Sequence, residues 1–292
     1  MRLSHCDLCP RRCRVDRAAG AKGACRTGRL ARVASAGPHF GEEHALVGRG
    51  GSGTVFFSGC NLRCAYCQNA DISQMDSGEE LTSQELARAM LILQERGCEN
   101  INLVSPSHVI AQVLEALVPA AEGGLRLPLV YNTGGYDAVD ALVLLDGVVD
   151  IYLPDMKYAD KRVGARLSGV GDYVARNREA VREMHRQVGD LQLDAGGLAR
   201  RGLLVRHLVL PGGLGGTHAV AEFLAREVSL DTYANVMDQY RPSYRAYLAP
   251  EVDRAASVEE VRVARAAVRA AGLWRIDGTA AAEVGPWPRD LV

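Results

Sequence analysis

A chain of 292 residues in which 34 Lys and Arg stand against 35 Asp and Glu carries no global field that would draw it to nucleic acid or to an acidic substrate. No stretch reaches the roughly 18 apolar residues of a membrane span, and the amino terminus lacks an apolar signal core, so a cytoplasmic protein with no membrane association is expected. Eight cysteines in a reducing compartment argue against a disulfide framework and for metal ligation, and seven of them fall in two clusters.

The first cluster is Cys6, Cys9, Cys13 and Cys25, set among Arg, Gly and Ala with little apolar periodicity. Such a segment cannot fold on its own hydrophobic burial and needs a staple. Four thiolates can close a tetrahedral zinc site or ligate a second, complete 4Fe-4S cluster that relays electrons, and spacing alone does not decide between them. The nine basic residues among the first 32 read as a solvated edge, so nucleic acid is not an expected partner. A metal module binding nucleic acid through Arg11 and Arg12 is the non-enzymatic alternative. Residues 33–53 read as an irregular, Gly-rich connection in which His39, Glu42 and Glu43 form a solvated turn. The expected division is a Cys-rich metal-binding extension over 1–50 and a core with a carboxyl-terminal helix over 51–292.

From residue 53 onward, strand and helix patterns alternate. The strand 53–59 is followed by a helix over 81–97 with Leu86, Ala89, Met90 and Leu93 on one face and a Thr82/Glu85 capping box. Further strands are read at 100–105, 127–132, 148–155, 202–211 and 232–238. The intervening helices are a segment after Ser107, one over 136–145, a long region to about 188, one from Thr217, and one opening at Ser257. Near-continuous apolar strands joined by helices imply a parallel sheet with ligands at its carboxyl edge.

At that edge, directly after the first of these strands, "SGCNLRCAYCQN" places Cys60, Cys64 and Cys67 in a CxxxCxxC loop. Zinc prefers four protein ligands in structural sites. Three thiolates suit a 4Fe-4S cluster with one iron left open. Cys98 stands alone and reads as a core residue.

The loop, with Tyr66 just before the third cysteine, resembles that of the radical S-adenosylmethionine (radical SAM) enzymes. "GSGTVFFSGCNLRCAYCQN" is similar to the activating enzymes of glycyl radical proteins such as pyruvate formate-lyase, and the chain from Cys6 resembles their PflX-type relatives. The resemblance implies an α/β fold, a partial (β/α)6 TIM-like barrel with the Cys-rich extension beside it. It also implies SAM chelated by the open iron, and reductive cleavage to a 5′-deoxyadenosyl radical that abstracts hydrogen. An electron donor of flavodoxin or ferredoxin type follows, with a glycyl radical protein, a peptide or a small molecule as substrate. Tyr66 is then expected to shield the cluster. Ser105 and Ser107, in "VSPSH" where relatives carry "GGE", are candidates for the SAM ammonium, with Ser107 equally read as a helix cap. His108 reads as satisfied by backbone. Asn132 and Thr133 after the third strand, Asp155 and Lys157 in a D-x-K pattern, Arg206, and Gln239 complete the expected SAM contacts. The competing enzyme reading, a nucleotide-dependent oxidoreductase, rests on the glycine-rich segment 211–218, which lacks the dinucleotide spacing and reads as a tight turn.

Overall fold

A computed structural model describes residues 2–75 and 77–278. Nine strands form one sheet: β1 (Ala31–His39), β2 (Ser52–Phe57), β3 (Glu79–Leu81), β4 (Ile101–Val104), β5 (Leu129–Thr133), β6 (Ile151–Pro154), β7 (Gln192–Leu193), β8 (Ala199–Leu208) and β9 (Tyr233–Met237). The parallel run is β2-β4-β5-β6-β8-β9, the six strands expected from the alternation of patterns. β1 extends it antiparallel on one side, and no ladder joins β9 to β1 among the described residues. The sheet is therefore a partial (β/α)6 barrel, open between its edges.

Residues 33–53 correct the sequence reading. β1 runs through this segment, paired with β2 over most of its length, and only Ala31 to Val33 also meet β3. Gly37 and Pro38 hid the alternation; Pro38 is tolerated because β1 is an edge strand there. Beyond it, the short helix His44–Val47 buries Ala45 and Leu46 against Val130, Ile151, Leu153 and Leu204, plugging the barrel from the amino side of its strands.

The outer faces follow from periodicity. Helix Ser83–Glu95 has the expected capping box and buries Leu86, Met90 and Leu93 against Ile101 and Leu103. Each such side chain contributes about 1.5–3 kcal/mol on burial. Alternation then turns Asn102, Asn132 and Arg206 to the other face of the sheet. The region expected to be helical over 136–145 is only Val139–Leu142 with a 3-10 turn, and the long region before 188 divides into Lys161–Ser168 and Tyr173–Val188. Helix Val258–Ala270 opens on the Ser257/Glu260 capping box.

The amino-terminal arginines do not form a free basic arm. Arg2 and Arg12 pair with Asp140, Arg29 with Glu115 and Arg32 with Glu80, while Arg11 donates to the Asn61 carbonyl. Among the described residues no helix is long and apolar enough to cross a membrane.

Candidate active site

The chain leaves β2 at Phe57 and turns through Gly59, whose φ of +81° and close approach to the Cys25 carbonyl, 2.4 Å from where a Cβ would lie, admit only glycine. The cysteine loop that follows is fastened by backbone bonds from Arg63 to the Ser168 carbonyl (3.0 Å), from Ala65 to Leu167 (2.8 Å) and from Arg245 to Ala65 (2.8 Å). Arg63 donates to the Cys60 carbonyl at 3.0 Å and to the Ala24 carbonyl.

Each thiol of the loop has a polar neighbour. The Leu62 N–H donates to Cys60 Sγ (3.4 Å), Ser168 Oγ lies 3.0 Å from Cys64 Sγ, and Ser73 Oγ lies 3.2 Å from Cys67 Sγ. Burial, with the neighbouring Cys64, pushes the Cys60 thiol up to about 12; burial also raises Cys64, against the charge of Lys157. Burial thus opposes ionisation of these two sulfurs, and a bound cationic group would favour it. Among the described residues no trio of His, Cys, Asp or Glu side chains is placed to hold a single metal ion. Three sulfurs on one short loop, each with a polar neighbour, fit a 4Fe-4S cluster.

Tyr66 is buried behind the loop rather than facing away from it. Its hydroxyl meets Tyr158 OH at 2.6 Å, Tyr158 OH meets Ser168 Oγ at 2.7 Å, and its ring packs edge-on against Tyr240. A hydroxyl relay thus ends on the Cys64 sulfur. Sequence reading missed Ser168, because nothing local marks a serine as a partner of a thiol 104 residues away.

Beside the loop lies a charged cluster. Asp155 Oδ2 accepts from Lys157 Nζ at 2.6 Å and Oδ1 from Arg206 Nε at 2.8 Å, while Arg206 Nη2 donates to Asn132 Oδ1 at 2.5 Å. Glu42 is the fourth charge, 3.6 Å from Arg206 Nη1. The four charged side chains are only 8–17% exposed, which excludes a solvated surface ion pair. Burial works to raise the Asp155 pKa, but Arg206 and Lys157 together hold it below the ordinary value; Glu42 stays above its ordinary value because burial outweighs Arg206. Burial opposes the charge on Lys157, yet Asp155 lifts it to about 12. Glu42 and Glu43 correct the expectation of a solvated turn: Glu43 is buried and accepts from Asn235 at 2.9 Å.

The remaining candidates separate. Ser107 Oγ lies 2.8 Å from Thr133 Oγ1, which donates to Asp137 Oδ2 at 2.6 Å, and Tyr131 donates to Asp137 Oδ1 at 2.8 Å. All four are buried in one polar knot whose carboxylate was not singled out from sequence. Ser105 instead occupies the left-handed region at φ 61°, a strain of about 1–3 kcal/mol at the end of β4. Gln239 is exposed, and its carbonyl accepts from Gln68 of the cysteine loop at 3.3 Å. His108 is satisfied by the Ser58 carbonyl at 3.0 Å, and Cys98 is buried in the core. The glycine-rich segment 211–218 offers a poor phosphate cradle, since the Gly212 N–H is already given to the Glu260 carboxylate at 2.7 Å. Cys6, Cys9, Cys13 and Cys25 line one small cavity beside the loop.

The sequence profile of the radical SAM superfamily matches residues 54–190. The chain is 31% identical over 273 residues to an uncharacterised protein of Methanocaldococcus jannaschii, a match covering 90% of this chain and 73% of that one. It is 33% identical over 129 residues to the pyruvate formate-lyase-activating enzyme of Clostridium pasteurianum, covering 42% and 52%. Among solved structures, a radical SAM methyltransferase from Sphaerobacter thermophilus shares the fold, with a TM-score of 0.51 at 18% identity over 75% of this chain and 64% of that one. These matches, spanning the cysteine loop and the parallel strands behind it, make the chain a member of the radical SAM superfamily.

Proposed function

We propose that this radical SAM enzyme abstracts hydrogen from a backbone glycine of a protein partner, supplied with electrons by a flavodoxin- or ferredoxin-type donor. In this reading Cys60, Cys64 and Cys67 hold a 4Fe-4S cluster at which SAM binds, and together these groups supply the 5′-deoxyadenosyl radical. A second metal site is held by Cys6, Cys9, Cys13 and Cys25.

The observation that carries the reading is the junction of the cysteine loop with the Lys157–Asp155–Arg206 cluster at the carboxyl edge. Lys157 is the SAM carboxylate partner, Asp155 orients it, and Arg206 and Asn132 set the position of Asp155 and of the ribose. Tyr66 closes the loop from behind. Ser105 and the neighbouring carbonyls receive the SAM ammonium in place of "GGE", while Ser107 and Thr133 support that wall through Asp137. Gln239 sits on the rim.

Similarity to the C. pasteurianum activating enzyme favours a glycyl radical partner. The "VSPSH" segment and the four-cysteine extension favour a peptide or small molecule instead. The test is anaerobic turnover with dithionite and SAM in the presence of candidate proteins. The expected result is 5′-deoxyadenosine together with a glycyl radical EPR signal. 5′-Deoxyadenosine with no protein radical across such partners would move the substrate to the second class.

A further inference from the structure

An open concavity of about 430 Å³ adjoins the cysteine loop. Arg63 and Ala65 of the loop line it, whereas Lys157, Asp155 and Arg206 do not, so an occupant stands apart from the SAM pocket. Its facing wall is the segment after β9, which carries Tyr244, Arg245 and Leu248. The Arg245 N–H fastens that segment to the Ala65 carbonyl at 2.8 Å, and the Tyr240 hydroxyl donates across its base to the Val252 carbonyl at 2.6 Å.

The charge of this surface is one-sided. Arg166 is paired with Glu251 at 2.8 Å, the only carboxylate in the lining. Arg63 donates to the Cys60 carbonyl at 3.0 Å and to Gln74 Oε1 at 3.2 Å, Arg26 donates to the Gln74 carbonyl, and the Arg245 guanidinium lies over the Tyr244 ring at 5.0 Å. Each of these partners is uncharged, so three guanidinium charges meet here without a carboxylate among the described residues. The resulting field attracts an anionic partner. Arg26 and Arg245 are exposed, unlike the enclosed donors of a small-anion site. Beside them Tyr247 and Leu248 are each 65% exposed. Arginine and tyrosine around exposed apolar groups are the make-up of a protein contact.

The concavity also connects to the thiols. Ala65 follows Cys64 directly in the chain. Gln74, another lining residue, donates from Nε2 to Ser73 Oγ at 3.1 Å, and that oxygen lies 3.2 Å from Cys67 Sγ. One hydroxyl thus separates the wall of the concavity from a sulfur of the loop.

We propose that this concavity is the docking surface of an acidic one-electron carrier protein, which meets the site at Cys60, Cys64 and Cys67 across the wall made by Ala65 and Gln74. The proposal rests on the reading of that loop as a cluster site and assigns the place at which its donor binds. The carrier loses one electron and the loop site gains it, with no proton or group moving. Redox encounters of this kind bury little area and are steered by charge, so the rate of reduction depends on salt.

The test compares two reductants on the reconstituted full chain, flavodoxin kept reduced by NADPH and its reductase, and dithionite, which needs no docking surface. 5′-Deoxyadenosine formation is followed with each, and flavodoxin affinity is read separately by calorimetric titration. Arg166→Glu/Arg245→Glu is expected to lower the flavodoxin-driven rate and the affinity about tenfold or more at low salt, with the dithionite-driven rate within about twofold of wild type. Arg226→Glu/Arg262→Glu, the same change of charge outside the concavity, should leave all three near wild type. Equal losses in the two double variants, or a dithionite-driven rate that falls together with the flavodoxin-driven one, would overturn the proposal. Iron-loaded wild type that makes no 5′-deoxyadenosine under dithionite would instead sink the loop reading. The titration then judges the surface alone, and an affinity unchanged in Arg166→Glu/Arg245→Glu would overturn it.

Discussion

Arg206 on β8 and Asp155 at the end of β6 form a parallel backbone bridge, and the same two residues join again through their side chains at 2.8 Å. Strand register therefore sets the position of the charge pair. A guanidinium anchored twice in this way is a fixed wall of the site rather than a mobile surface charge.

Asp155→Asn leaves Arg206 and Lys157 without their shared counter-charge, and a stability loss of about 3–5 kcal/mol is expected in urea denaturation. The pH dependence has a definite sign. Although burial alone would raise it, the folded-state pKa of Asp155 lies below its ordinary value because of Arg206 and Lys157. Its contribution is then complete above the unfolded value of about 4 and is lost as pH falls through the folded one. Wild type should lose stability more steeply than Asp155→Asn below about pH 4. Parallel acid limbs would contradict this.

Ser168→Ala removes the hydroxyl beside Cys64 without touching a ligand. Partners of this kind typically tune metal affinity or activity by about 10–100-fold. Reconstituted protein should lose iron faster and show a shifted cluster potential, while Cys64→Ala should abolish loop iron and 5′-deoxyadenosine formation. Tyr158→Phe, one step further along the relay, should give a smaller shift of the same potential.

Thr133→Val tests the separation of the polar knot from the SAM pocket. It deprives Asp137 of one of its donors and should cost about 1–3 kcal/mol of stability. SAM affinity, read by equilibrium dialysis on the reconstituted protein, should stay within about threefold, since the lost bond lies inside the wall. A large loss of affinity with unchanged stability would restore Thr133 as a direct contact.

His207 is held neutral by its surroundings. Its Nδ1 faces the Met156 carbonyl at 2.7 Å, so that nitrogen carries the proton, and Nε2 accepts from Thr217 at 2.8 Å. Burial lowers the pKa of the ring. Stability from this residue is therefore complete above the unfolded value of about 6.5 and falls as pH drops below it, because the unfolded chain takes up the proton first. His207→Gln should flatten the loss of stability between about pH 6.5 and 5. An unchanged slope in that window would assign the dependence to another group.

The legible parts of the fold were those written in local spacing. The six parallel strands, the capping boxes at Thr82 and Ser257 and the position of the cysteine loop each depend on residues a few places apart. The misread parts were those where neighbours in space override pattern. β1 passed for a connection because Gly37 and Pro38 interrupt its alternation. Glu43 passed for solvent-facing because the asparagine that holds it is 192 residues away.

The amino-acid sequence by itself determined that three thiols stand at the carboxyl end of the first parallel strand, that four more stand in an extension with no core of its own, and that D-x-K and Arg206 lie on later strands of the same sheet. Only the tertiary structure decided which polar groups at that edge remain available. It tied Ser107 and Thr133 to Asp137 and drew Glu42 to Arg206. The reason is that spacing along the chain selects a residue's face, whereas the partner it meets there is supplied by strands and loops distant in sequence.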